Sequence, residues 1–292
     1  MTVAFWDEAA PGLPVGTPIA ALSIAGSDPS GGAGIQADLK TFGALGAYGM
    51  AVVTALTVQN TRHVARVEPV AAQLLAEQLQ ALIDDIRIDT VKIGMLATEE
   101  NIVVVRDALQ GPLRGRPIVL DPVLVSSSGT RLLDAAAVAA LRTLLPLVDV
   151  VTPNLAEAVA LTGFAARESL AGMRKQAHAL RALGAARVLV TGGDLPGDAV
   201  DVWVDEAGER VFTARRVRTP NTHGTGCALS SALAALRPLR PDWQATVADA
   251  KHWLTGALRA ADGLVIGEGV GPVHHFHASP ERGLVIAKEV PA

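Results

Sequence analysis

Short apolar runs alternating with longer helix-spaced stretches are the feature that most constrains this chain. Ile19 to Ala25 is apolar throughout except for Ser23. A strand with no polar side must be covered on both faces, and parallel sheets flanked by helices provide that cover. A helix-spaced stretch follows at Ile35 to Leu45, then a strand at Met50 to Val58. The alternation continues with a helix at Ala71 to Ile83, a strand at Thr90 to Ile93, a helix at Glu99 to Leu109 and a strand at Ile118 to Leu120. Ala135 to Leu145 is a helix, Val148 to Val151 a strand, Leu155 to Leu161 and Leu170 to Leu183 helices, and Val188 to Val190 a strand. The rhythm then changes. Ala199 to Val204 and Arg210 to Ala214 flank the turn Asp205-Glu-Ala-Gly208, the pattern of an antiparallel hairpin. Ala228 to Leu236 and Trp243 to Ala261 close the chain as helices. The expected fold is α/β, a mostly parallel sheet with helices on both faces and a short antiparallel edge hairpin.

No linker-like stretch divides residues 18–292, which are expected to form one domain. Met1 to Thr17 carries Asp7, Glu8, two prolines and two glycines but no basic segment. It is expected to be a flexible leader and not a secretory signal. Half of the 292 residues are hydrophobic, which excludes a disordered chain. A net charge of -4 gives no basic footprint for nucleic acid. No apolar run is long enough to span a bilayer as a helix. The single cysteine excludes an intrachain disulfide and fits a cytoplasmic setting.

Ligands of open α/β sheets bind beyond the carboxyl ends of the strands. The loops there hold the residues with chemical potential. Gly26-Ser-Asp-Pro-Ser-Gly-Gly-Ala-Gly34 lies between the first strand and its helix. It lacks the Lys-Ser/Thr pair of a P-loop and the third glycine of a dinucleotide fingerprint. It is either a loop that lets a ligand approach backbone, with Ser27 and Asp28 as polar groups, or a tight turn capped by Asp28 or Ser30. Gln59 ends the second strand, where its carboxamide can read a heterocycle edge or simply close the strand. Met95, after Gly94, offers a soft apolar wall for a flat ring. Asp121, before Pro122, turns the loop that leads to Val123. Asn154 and Glu157 have the spacing of a capping box. The same pair can instead orient water around a Mg²⁺ that carries nucleotide phosphates. Thr191-Gly-Gly-Asp194 again offers backbone N–H groups to phosphate. His274, His275 and His277 lack an acidic residue between them, so a dedicated metal site is not expected there.

Thr219-Pro-Asn-Thr-His-Gly-Thr-Gly-Cys227 precedes an apolar helical run. Its glycines let successive N–H groups converge on an anion, and the helix adds its positive end. That field is expected to favour a thiolate at Cys227. The plain alternative is a small buried hydrophobe.

Together, and in this order, the loops resemble those of the hydroxymethylpyrimidine and phosphomethylpyrimidine kinases of thiamine biosynthesis. The resemblance rests on Ala25 to Phe42, Thr54-Ala-Leu-Thr-Val-Gln-Asn-Thr61, Lys92-Ile-Gly-Met-Leu96, Thr152-Pro-Asn154, Asn221-Thr-His-Gly-Thr-Gly-Cys227 and Gly271-Pro-Val-His-His-Phe-His277. It implies a ribokinase-like, doubly wound fold, ATP and Mg²⁺ as cofactors, and a homodimer. It implies that a hydroxymethylpyrimidine is phosphorylated to its monophosphate and then to the diphosphate. Gln59 would bind the aminopyrimidine, with Gly26, Asp28, Ala33, Met95 and Val123 around it. Gly224, Thr225, Gly226 and Cys227 would form the anion hole, with Cys227 as the base. Asn154 and Glu157 would serve Mg²⁺ and phosphate through water, beside Thr191 and Gly193. One departure stands out: many members carry lysine where this chain has Thr191. Some other cation, a metal ion or an arginine, must then supply that charge. The alternatives are a pyridoxal or pyridoxine kinase on the same fold and a non-catalytic pyrimidine sensor.

Overall fold

A computed structural model describes residues 16–124, 135–193 and 195–278, so most of the expected leader lies outside it. Its strands are β1 (Ala20–Ser27), β2 (Tyr48–Gln59), β3 (Val64–Pro69), β4 (Thr90–Ile93), β5 (Ile118–Leu120), β6 (Val150–Val151), β7 (Val188–Val190), β8 (Ala199–Asp205) and β9 (Gly208–Ala214). They form one sheet in the order β3-β2-β1-β4-β5-β6-β7-β8-β9. Pairings from β2 through β1 to β7 are parallel. Those of β3, β8 and β9 are antiparallel.

The helices are α1 (Gly34–Ala44), α2 (Ala72–Asp85), α3 (Glu99–Gln110), α4 (Ala135–Arg142), α5 (Leu155–Thr162), α6 (Leu170–Ala182), α7 (Thr225–Leu236) and α8 (Trp243–Arg259). Side chains alternate across the sheet, as a pleated strand requires. Leu22 and Ile24 of β1 enter one core with Leu75, Val105 and Leu180 from α2, α3 and α6. Ala21 enters the other with Phe42, Ala232 and Trp253 from α1, α7 and α8. Burying each large apolar side chain stabilises the fold by about 1.5–3 kcal/mol, so both layers are held firmly. Among the described residues no helix is long and apolar enough to cross a membrane.

The chain builds outward from β1 to β3, then returns to place β4 on β1's other side. The connections after β1 and β4 therefore diverge and open a crevice at the carboxyl ends of the strands.

Two elements differ from expectation. β3 forms a second antiparallel edge, beside β2. Its residues, Val64-Ala-Arg-Val-Glu-Pro69, are exposed or half-buried, so no apolar run marks it. Helix α7 begins at Thr225, three residues earlier than its apolar pattern. Cys227 thus lies inside the first helical turn and not ahead of it.

Candidate active site

Every site residue singled out from the sequence lines one cleft of 640 Å³ at the carboxyl end of the sheet. The cleft exists because two glycine-rich segments, distant in sequence, lock together. Gly224 caps α7 in a left-handed conformation with φ +76°, which disfavours any residue with a Cβ. A Cβ there would lie 1.8 Å from the carbonyl oxygen of Gly32. Backbone touches backbone, and only glycine permits it.

Asp28 fastens the same junction. Its Oδ1 accepts from the Ser30 N–H at 2.8 Å and the Ser30 hydroxyl at 2.7 Å, and its Oδ2 accepts from the Ala33 N–H at 2.8 Å. His223 Nε2 lies 2.8 Å from Oδ2. Burial works against the charge of Asp28, but the His223 and Ser30 hydrogen bonds outweigh it and hold the carboxyl below its ordinary value. Asp28 therefore lines the cleft while its carboxylate is directed at its own loop and at His223. The turn-capping role and the site location coexist.

One end of the cleft is lined by Gly26, Ala33, Gln59, Met95 and Val123, the residues expected to surround substrate. A Cβ on Gly26 would meet the Met95 methyl at 2.3 Å, so the thioether packs flat on bare backbone. The Thr54 hydroxyl donates to the Met95 carbonyl at 2.5 Å and fixes that wall. Gln59 Oε1 accepts from the Thr57 hydroxyl at 3.2 Å, and its Nε2 lies 3.3 Å from His223 Nε2.

At the head of α7, Gly224 to Cys227 face the cleft. Among the described residues no acceptor meets the N–H groups of Gly226 and Cys227. First-turn donors of a helix need partners, and an anion in the cleft provides one.

Below them is a buried polar layer. Lys92 is fully buried, and its Nζ donates to both oxygens of Asp38 at 2.9 Å. The Ser23 and Ser231 hydroxyls also donate to Asp38, at 2.6 and 2.7 Å. Lys92 pairs directly with Ser23 in the β1–β4 register, so strand pairing places them on one face. Burial alone would lower the Lys92 pKa, but Asp38, Cys227 and Asp121 raise it above the ordinary lysine value. Asp121, 4% exposed, accepts from the Ser230 hydroxyl at 3.1 Å, and desolvation raises its pKa.

The charge state of Cys227 corrects the sequence-based expectation. Burial pushes its thiol up to about 12; Lys92 opposes this and Asp121 and Asp38 add to it. Residue surroundings, not the helix end alone, set this value. These surroundings favour the thiol form in the ligand-free cleft.

The far end of the cleft holds Asn154, Glu157, Thr191 and Gly193. The expected capping box is present: Asn154 Oδ1 accepts from the Glu157 N–H at 2.8 Å, and Glu157 Oε2 accepts from the Asn154 N–H at 2.9 Å. The Thr191 N–H donates to the Pro153 carbonyl at 2.9 Å, which joins the ends of β6 and β7. Arg216, to which the sequence assigned no place, is an arginine at this end of the cleft. It lines this end and donates to the carbonyls of Gly193 and Gly197, each at 2.5 Å, and of Leu195.

The histidine tail packs against protein. His277 packs against Trp253 in a tilted arrangement with ring centroids 5.8 Å apart. His275 is buried, and desolvation lowers its pKa to about 4. Sequence reasoning gave Lys92 no role, yet one signal was available. A charged residue inside a four-residue strand buried on both faces must find a partner.

An open α/β sheet with bare N–H donors at a helix head, beside a pocket for a flat ring, defines a small-molecule kinase of the ribokinase-like class. The family model described as phosphomethylpyrimidine kinase matches residues 28–274, and the chain belongs to that family. The hydroxymethylpyrimidine/phosphomethylpyrimidine kinase of Escherichia coli (strain K12) is 52% identical over 89% of this chain and 98% of its own. A thiamine biosynthesis bifunctional protein, ThiED, from Geobacter sulfurreducens is 45% identical over 89% of this chain and 53% of its own length. Among solved structures, an ADP complex of Bacillus subtilis pyridoxal kinase superposes with a TM-score of 0.82 at 35% identity. It covers 89% of this chain and 98% of that one.

Proposed function

We infer that this chain phosphorylates a hydroxymethylpyrimidine with ATP, and then phosphorylates the monophosphate to the diphosphate, supplying the pyrimidine half of thiamine. The observation that carries this reading is the pair of unmatched N–H donors at Gly226 and Cys227, facing a pocket walled by Met95 and edged by Gln59. Phosphoryl transfer depends chiefly on positioning and on stabilising charge, and such donors supply both. The substrate ring lies on the Met95 thioether. Gln59 turns its carboxamide to the ring edge, and the hydroxymethyl group points at Cys227. Ala33 and Val123 close the remaining sides.

ATP lies across the far end of the cleft. The capping box uses Asn154 Oδ1 and Glu157 Oε2, Glu157 Oε1 accepts from the Leu124 N–H at 3.4 Å, and amide and carboxylate oxygens are the hard groups that Mg²⁺ and its waters take. The pair therefore fits a water-bridged Mg²⁺, which neutralises phosphate charge when bound. Gly193 and Thr191 offer backbone and hydroxyl groups to the phosphates. With threonine at position 191, Lys92 and Arg216 are the lysine and arginine side chains among the described residues that line the cleft. Asp38 neutralises Lys92, so Arg216 provides the charge that a lysine gives other members. Arg216 releases its loop carbonyls to do so.

The proposed partner is a second copy of the chain, seated on the outer face of β2, where Leu56 and Val58 are 56% and 59% exposed. The reducing cytoplasm suits the single thiol.

A coupled ADP-release assay tests the reading. Hydroxymethylpyrimidine should give two equivalents of ADP and pyridoxal far less. Turnover with pyridoxal alone would assign the chain to that activity. Binding of the pyrimidine without any ADP would make it a sensor.

A further inference from the structure

What Gln59 can read on a ring edge depends on which side of its carboxamide carries the oxygen, and the hydrogen bonds around an amide fix that choice. Two neighbours flank it. The Thr57 hydroxyl lies 3.2 Å from Oε1, and His223 Nε2 lies 3.3 Å from Nε2. His223 Nε2 also meets Asp28 Oδ2 at 2.8 Å. The Asp28 carboxylate already accepts from the Ser30 hydroxyl and from the N–H groups of Ser30 and Ala33, so it is the acceptor towards His223 as well. His223 Nε2 therefore carries a hydrogen. A carboxamide NH2 set against that N–H is a donor facing a donor. On the other side, the Thr57 hydroxyl has one proton, which the Ser27 carbonyl takes at 3.0 Å. Its oxygen then has a lone pair to offer Gln59. A half-turn of the carboxamide answers both neighbours: the amide oxygen faces the His223 N–H, and the NH2 donates to the Thr57 hydroxyl oxygen. His223 cannot swing aside to suit the other arrangement. It is buried, and a Cβ on Gly32 would lie 2.2 Å from its Cδ2.

We propose that His223, anchored by Asp28, turns the Gln59 carboxamide oxygen towards the head of α7 and thereby selects an aminopyrimidine in one in-plane direction. The proposal deepens the reading that the substrate is 4-amino-5-hydroxymethyl-2-methylpyrimidine, and it rests on that reading. This ring offers an exocyclic N–H donor beside a ring-nitrogen acceptor. The donor pairs with the amide oxygen on the His223 side. The ring nitrogen pairs with the remaining amide N–H on the Thr57 side. The hydroxymethyl group is the amino group's neighbour on the ring, so it too lies on the His223 side. His223 directly precedes Gly224, which caps α7. Fixing one amide thus aims the reacting hydroxyl at the N–H donors of that helix, and the opposite direction would aim it away. A 4-oxo ring, whose adjacent ring nitrogen carries a hydrogen, presents the reverse pattern and is refused. His223 acts through Gln59 and is a positioning residue that sets specificity.

The test measures kcat/KM for the first phosphorylation of the 4-amino pyrimidine and of its 4-oxo counterpart. Wild type should favour the amino ring about 10⁴-fold, the scale of rejection when buried hydrogen-bonding groups meet the wrong partner. In His223→Ala the carboxamide is free to turn, and that ratio should fall at least about tenfold, the worth of one hydrogen bond. A merely structural loss would slow both substrates alike. An unchanged ratio would therefore overturn the proposal, as would a wild type that takes both rings equally. Neutron diffraction from deuterated wild-type crystals reads the amide directly, even where the variant misfolds. Deuterium on the end facing Thr57 supports the assignment, and deuterium on the end facing His223 overturns it. A wild type that releases no ADP with the amino ring would sink the functional reading instead, while the neutron map still reports the amide.

Discussion

Two buried polar contacts border the cleft, and they are built in opposite ways. Lys92 and Asp38 stand on a strand and a helix, are fully buried, and make two contacts of 2.9 Å backed by two serine hydroxyls. Asp28 and His223 stand on two loops and meet through one contact of 2.8 Å. The first contact joins elements that packing already holds. The second joins the two segments whose meeting forms the end of the cleft lined by Gln59 and Met95. Buried pairs are often replaceable by apolar residues at little cost. A fully buried lysine beneath Cys227 therefore points to a task in setting charge, and the loop pair to a task in setting shape.

Lys92→Met should have the largest effect. It leaves Asp38 buried without its cation and costs about 3–5 kcal/mol, measured as a shift in the urea midpoint. Adding Asp38→Leu should recover part of that loss. A single variant with unchanged stability would show that water reaches the floor. Gly224→Ala comes next. Left-handed backbone costs an alanine about 1–2 kcal/mol, and its Cβ would press on Gly32, so the KM for pyrimidine should rise steeply while the urea midpoint moves less than in Lys92→Met. A rise in stability without loss of binding would mean that the loops need not touch.

His223→Ala should cost about 1–3 kcal/mol by leaving Asp28 short of a partner, with the change concentrated in KM. The pH dependence sharpens this point. Because Asp28 is held below its ordinary value, its contribution to stability is present above about pH 4. It is lost as the pH falls through the lowered value. The urea-midpoint gap between wild type and Asp28→Asn should therefore narrow in acid. For Lys92 the direction is reversed: a raised lysine pKa keeps its contribution at all pH values below the ordinary one and loses it only in strong alkali. The smallest effect concerns reactivity. With its thiol pushed up to about 12, ligand-free Cys227 should react slowly with iodoacetamide. Its rate should keep climbing beyond about pH 9, above the ordinary cysteine value. A plateau below that would restore the thiolate.

The strands that were easiest to find in the sequence are those buried on both faces, such as β1 and β7, because burial removes every polar position. β3 left no such mark, since an exposed edge can alternate freely. Most of the cleft residues were legible for a related reason: they lie at or just beyond the carboxyl end of a strand, and the fold gathers strand ends. What they do there was less legible. Asn154 and Glu157 display a capping box, and nothing in that spacing says whether phosphate also lies nearby. Arg216 carries no local signature, because it enters the cleft from a loop after β9.

The sequence by itself determined the order of βα units, the end of the sheet where ligands bind, and the bare glycine backbone at Gly26 and Gly224. These follow from local rules of burial and of the φ angles each residue allows. Only the tertiary structure decided the surroundings that set the charge on Cys227. That charge depends on desolvation and on Lys92, Asp121 and Asp38, which come from three other elements of the chain. No local pattern encodes a distance between them.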